Sequence, residues 1–379
     1  MSRRSRRVIP SEGYLLLLVG ILIGFLLFTL IAAVFSIRAL KNLIPTEKTF
    51  TLRVLYTSEK QSWMEEIAPL FEEYFKNNYG YTVRMEFTIA GSHETVNLIL
   101  HGSSKPAIWS PASNIWIPYL NYKWRKIGYD YDIVEEWHPV LVTPTVIITW
   151  ESLLKKYNIT GFLSLYRLIK DGVDFTYGHP DPMLSNGGVT TVLLEIAEAA
   201  GKPIEELTLS DLINETVQEI VRTIESRVIY YGKSTGFFGK WAVENGPSAL
   251  TVFSAYENIV IDNSIEALKR WGNRLMAVYP IYGTILNDHP FAILNAPWVG
   301  EEEKLVAEKF IEFLLSKDSQ ERAVKHGFRP VRGDIILSRE LFSPENGVSY
   351  ELNVTVHKPP SGEILEGLFT IWVKIRSRG

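Results

Sequence analysis

The chain has 379 residues, 46% hydrophobic and 22% charged, which is too long for one small core and too apolar for a disordered polymer. A formal net charge of −4 offers no basic excess for nucleic acid. The absence of cysteine excludes disulfides, thiolate metal sites, cysteine nucleophiles and a lipid-modified N-terminal cysteine.

Residues 14–37 contain no charged side chain and are dominated by Leu, Ile, Val and Phe. As a helix this stretch is long enough to cross a hydrocarbon core of about 30 Å. Arg3, Arg4, Arg6 and Arg7 precede it. The positive-inside rule therefore keeps residues 1–13 in the cytoplasm as a basic tail and places everything after Arg38 outside. A cleaved signal peptide is the alternative, but its apolar core is normally shorter, and no small-x-small site follows here. The expectation is a single-pass cell-membrane protein with an uncleaved signal anchor over 14–37 and a linker over 38–49. Three sequons, at Asn158, Asn214 and Asn353, then fall on the outer side.

Residues 50–56 (FTLRVLY) alternate and then run apolar, as a buried strand does. Thr57, Ser58, Glu59 and Lys60 follow, then a helix to about residue 78 with Trp63, Ile67, Leu70, Phe71 and Phe75 on one face. A second strand is expected at 81–89, a helix from Gly91 through His101, and a third strand at 105–109. The third strand ends in Ser110-Pro111-Ala112-Ser113, and a helix carrying Trp116, Leu120 and Trp124 comes next. The order βαβαβα predicts a parallel sheet with helices on its faces and polar turns gathered at one edge.

Residues 140–149 (VLVTPTVIIT) read as a strand that leaves the first sheet for a second domain. That domain is expected to hold a helix near 161–170, a strand at 175–177, a polar turn with His179 and Asp181, and a helix from about Ser185. A helix from 209 to about 227, a turn at Ser234-Thr235-Gly236, a short strand before Tyr256-Glu257-Asn258 and a strand at 275–279 follow. Residues 289–294 (HPFAIL) return to the first domain, which helices at 301–315 and 319–326 complete. The tail beyond about residue 348 reads as one strand and one helix with no assigned packing partner.

The residues that carry a family likeness are Ala90-Gly91-Ser92 before a helix, KPAIWSPASNIWIPYLN (105–121), YGHPDPMLSNGG (177–188), YYGKSTGFFGK (230–240), GPSALTVFSAYENIVI (246–261), AVYPIYGTILNDHPFAILNAPW (277–298) and GFRP (327–330). Over about 50–330 the chain resembles the extracellular solute-binding proteins of ABC importers. It is similar to the type II periplasmic-binding group related to the molybdate- and sulfate-binding proteins. The resemblance implies a two-lobed α/β fold with the second lobe inserted in the first: lobe I over 50–139 and 289–345, lobe II over 140–288, and a C-terminal extension over 346–379. It also implies closure on a small-molecule or oxyanion ligand and delivery to ABC permease and ATPase subunits; no cofactor, resident metal or catalytic role is expected.

In such proteins hydroxyls and backbone N–H groups at helix N-termini hold the ligand. By this resemblance Ser58, Ser92, Ser110 and Ser113 line the first lobe's wall, and Ser185, Asn186, Gly187 and Tyr256 line the second, with His179, Asp181 and Glu257 beside them. Each serine before a helix is equally an N-cap. His179 and Asp181 read either as metal ligands or as turn residues, with Asp181 capping. Asp181 and Glu257 repel a dianion unless they point away or are neutralised, so a neutral or cationic solute, or a metal ion, stays open. A receptor or scaffold built on the same fold is the alternative function. No nucleophile elbow, zinc-binding HExxH or phosphate loop supports an enzyme.

Overall fold

The computed structural model describes residues 19–34 and 48–376. Residues 1–48 and 49–379 form separate compact units. In the first unit residues 19–34 are helical, and Ile21, Phe25 and Phe28 are exposed. The flanks of the expected spanning segment, the basic tail and residues 38–47 of the linker lie outside the described residues. Among those described, no helix is long and apolar enough to cross a membrane.

The second unit begins with β1 (Thr49–Tyr56), β2 (Thr82–Ile89) and β3 (Ile108–Ser110). β1 pairs in parallel with β2 on one side and β3 on the other. The helices Gln61–Tyr79 and Ser92–Leu100 make the crossovers that parallel pairing needs. β4 (His138–Pro139) and β11 (Pro290–Ile293) finish this sheet in the order β2-β1-β3-β11-β4. β11 runs antiparallel to β3, because the chain re-enters the sheet from the opposite direction. Trp63, Trp109, Trp116 and Trp124 are fully buried around it. Burying one large apolar side chain is worth about 1.5–3 kcal/mol, so these rings are first of all core.

β5 (Leu141–Trp150) is the long strand of the second sheet. Its first half pairs with β12 (Arg329–Pro330) and β10 (Thr284–Asn287). Its second half lies between β8 (Val252–Tyr256) and β9 (Leu275–Val278), antiparallel to both. β6 (Tyr177–Pro180) pairs in parallel with β7 (Val228–Gly232). Val252 N donates to Thr176 O at 3.0 Å and links that pair to β8.

Two elements differ from the sequence reading. The strand expected at 175–177 lies at Tyr177–Pro180, so His179 is in a strand and not in the turn. The helix expected from 209 to 227 is broken into Leu209–Leu212 and Glu215–Glu225. Asn214 causes the break: its side-chain oxygen accepts from Thr216 N and Val217 N and starts a new helix. The C-terminal segment finds its place as well. β13 (Val356–His357) pairs in parallel with β10, and the helix Gly362–Arg376 buries Ile364, Leu365, Leu368, Phe369, Ile371, Trp372 and Ile375.

Candidate functional site

After β1 the chain turns through Thr57-Ser58-Glu59-Lys60, all four buried. The Ser58 hydroxyl reaches across to the second lobe. It accepts from Gly236 N at 3.0 Å and shares a hydrogen bond with Ser234 Oγ at 2.7 Å. Gly236 lies in the first turn of the helix Thr235–Asn245, where backbone N–H groups have no partner of their own. The reciprocal contact is made by Leu184, whose carbonyl accepts from Glu94 N at 3.1 Å in the first turn of Ser92–Leu100. A third contact joins Trp116 Nε1 to Asn186 Oδ1 at 2.8 Å. Asn186 Nδ2 donates to Tyr256 Oη and Asn287 Oδ1, both at 2.7 Å.

Main chains touch at these points. A Cβ on Gly236 would lie 2.5 Å from the carbonyl of Ser58, and one on Gly91 would lie 2.3 Å from that of Leu184. The lobes are therefore closed on each other here, and each supplies the acceptors that the other's helix N-termini need.

Ser58, Asn186 and Tyr256 thus meet at the contact between the lobes, and the remaining candidates have other partners. Ser92 Oγ accepts from Ala112 N at 3.1 Å and Ser113 Oγ from Ile115 N at 3.5 Å, both within the first lobe. Ser185 precedes the helix Asn186–Ala200 and bonds Thr235 Oγ1 at 3.1 Å. A Cβ on Gly187 would lie 2.4 Å from that same Thr235 oxygen, so the glycine makes room for a side chain of its own lobe. Ser110 Oγ is buried without a protein partner.

His179 is fully buried, with Nδ1 2.7 Å from Pro180 O and Nε2 3.0 Å from Glu225 Oε1. Asp181 Oδ1 accepts from Met183 N at 2.9 Å, as a turn cap does, and Oδ2 pairs with Arg376 Nη1 at 2.9 Å. Glu257 forms a two-point pair with Arg329, at 2.8 and 2.9 Å, and accepts from Tyr279 Oη. Asp181 and Glu257 are thus each matched by an arginine.

The sequence reading gave Glu59 and Lys60 only as residues that follow the first strand, and His289 as the start of the segment 289–294. All three are buried together. Lys60 Nζ lies 3.1 Å from Glu59 Oε1, 2.5 Å from Thr57 Oγ1 and 3.3 Å from His289 Nδ1. Burial alone would raise the Glu59 carboxyl, but Lys60, His289 and Thr57 together bring it down to about 2. Burial, and then Lys60, push His289 down to about 4. His289 has φ 39°, and among the described residues it is the non-glycine residue with positive φ. A left-handed histidine costs backbone energy, and it sits where the chain crosses back to the first lobe.

A model of the bacterial extracellular solute-binding protein family matches residues 52–329. The chain belongs to that family. Solved structures show the same fold at low sequence identity. The sulfate-binding protein SubI of Mycobacterium tuberculosis H37Rv is 16% identical with a TM-score of 0.57, covering 86% of this chain and 99% of its own. A periplasmic thiamin-binding protein is 12% identical with a TM-score of 0.60, covering 88% and 96%. A putative spermidine/putrescine ABC transporter protein of Listeria monocytogenes is 13% identical with a TM-score of 0.59, covering 87% and 99%. No curated protein matches in sequence.

Replacing Gly236 by alanine drives a methyl group into the Ser58 backbone. A close-packed backbone cannot absorb this, so the lobes should part at a cost of about 1–3 kcal/mol. Thermal denaturation should show a lower melting temperature and small-angle scattering a larger radius of gyration; an unchanged radius would refute the close contact.

Acid should act on the same contact through His93. Its ring stacks on Phe369, with centroids 4.4 Å apart, beside the Pro182 carbonyl. Burial, the largest influence, lowers its pKa to about 4, with Pro182, Asp181 and Glu366 favouring the proton and Lys123 opposing it. Stability from the neutral ring is present above about 6.5 and is lost as pH falls through 4, up to roughly 3 kcal/mol. Urea titrations from pH 7 to 4 should therefore show a smaller acid loss in His93→Asn than in the wild type.

Proposed function

We propose that this chain is a membrane-tethered, extracytoplasmic solute-binding protein that captures a small polar solute or oxyanion between its lobes and delivers it to an ABC permease. The observation that supports this most is the pair of helix N-termini facing each other across the contact. Ser185, Tyr256 and the Asn186 Nδ2 group keep their partners within the second lobe when the lobes part, whereas the N–H groups of Gly236 and Glu94 and the hydroxyl of Ser58 lose theirs. These are donors for negative charge, since a helix N-terminus carries about half a unit of positive charge. The hinge in this reading lies where residues 139–140 and 288–289 pass between a first lobe of 50–139 with 289–345 and a second lobe of 140–288. Ser110, buried without a partner, is the further candidate on the first lobe's wall.

Charge narrows the solute class. Glu59, Asp181 and Glu257 each pair with a cationic side chain, so no carboxylate of this group is left to hold a polyamine. An anion or a neutral polar solute fits better. Titration calorimetry and tryptophan fluorescence with sulfate, molybdate, phosphate, thiamin and spermidine should give one saturating anionic or neutral ligand. Removing a donor to a charged ligand is worth about 1.5–3 kcal/mol, so Ser185→Ala combined with Asn186→Ala should weaken binding at least about tenfold. Saturation by spermidine alone would overturn the solute class, and full affinity in the double variant would overturn the site.

The tether is assigned to residues 14–37, on their uncharged length and the four arginines before them. After alkaline carbonate extraction, the full chain should stay in the membrane pellet and a chain starting at Lys48 should not. Release of the full chain would remove the anchor from this reading.

A further inference from the structure

The helix Gly362–Arg376 lies beyond the family match at 52–329. It touches both lobes, side by side, next to the contact that closes the cleft. Phe369 stacks on His93 at 4.4 Å and lies 5.8 Å from Tyr119 and 6.2 Å from Trp116, all on helices of the first lobe. One turn further on, Trp372 packs 5.9 Å from His179 and 5.6 Å from Tyr231, on β6 and β7 of the second lobe. Polar contacts repeat the pattern. Glu366 lies 3.6 Å from Lys123 of the first lobe, and Arg376 pairs with Asp181 of the second at 2.9 Å while covering the Tyr231 ring.

The fit is close on the second lobe. A Cβ on Gly367 would lie 2.8 Å from Leu209 Cδ2 and 2.9 Å from Leu212 Cδ1, so the helix rests directly on Leu209–Leu212. Trp116 ties the helix to the cleft itself, because the ring near Phe369 is the one that donates to Asn186. The lobes cannot rotate apart while Phe369 and Trp372 both stay buried, since the two side chains are one helical turn apart on a rigid element.

We propose that the C-terminal helix is a built-in latch: it clasps both lobes and must release one of them before the cleft can open. This rests on the solute-binding reading for what enters, but the latching itself is a property of the chain's own contacts. Its test therefore uses no ligand.

Because the chain lacks cysteine, Glu73→Cys on the first lobe and Glu219→Cys on the second, both exposed, can carry a single pair of spin labels. Pulsed electron paramagnetic resonance of the full chain should give one narrow distance population. Phe369→Ala with Trp372→Ala should add a longer population. Should that variant fail to fold by circular dichroism, Glu366→Ala with Arg376→Ala leaves the apolar contacts in place and should still broaden the distribution toward longer distances. A distribution identical to the parent in a folded variant overturns the latch, as does a parent that already samples the longer population. Failure of every solute to bind would count against the solute-binding reading and leave this result standing.

Discussion

The first turn of an α-helix has N–H groups that the helix cannot satisfy, and in this protein that constraint is met across the boundary between two lobes. Ser58 supplies the acceptor for Gly236, and Leu184 supplies it for Glu94. Each helix is completed by the lobe it does not belong to. These bonds favour closure, and in the proposed function the same donors serve the ligand, so that closing and binding are two uses of one set of groups.

Glycine makes the exchange possible. At Gly236 and Gly91 the opposing main chain occupies the space of a side chain. A larger residue would hold the lobes apart and leave the N–H groups buried with no acceptor, which is costlier than leaving them in water. The charged groups nearby follow the same rule. Glu257 with Arg329, and Glu59 with Lys60, lie in the interior only as pairs. Arg329 also donates to the carbonyls of Ser349 and Tyr350, so this pair fixes the path of the chain on its way to the tail.

The architecture was readable in the sequence because it is written in periodicity. Residues 50–56 alternate as a strand, and the apolar spacing through Phe75 marks the first helix. The order of elements then predicts the parallel core of the first sheet. The likeness in strings such as YGHPDPMLSNGG pointed to the two-lobed family. What periodicity does not carry is which polar group meets which. Ser58 and Ser92 look alike before their helices, yet one crosses to the other lobe and the other bonds Ala112. Glu59 and Lys60 look like a solvated pair, and Pro111, Asn258 and His289, all far along the chain, meet them in the interior. The break at Asn214 was missed for a related reason: a cap residue inside an apolar repeat leaves the repeat intact. The C-terminal helix had clear apolar spacing but no partner that spacing could name, since its two faces of contact lie on different lobes.

The docked C-terminal helix also bears on affinity. A protein whose binding-competent form is a minor population binds with its intrinsic affinity reduced by that fraction. Each tenfold preference for the docked arrangement therefore weakens apparent solute binding tenfold, with no change in any residue that touches solute. Sensitivity is then set at Phe369 and Trp372, away from the groups proposed to recognise the ligand. Selectivity and threshold can vary independently, because they reside in different parts of the chain.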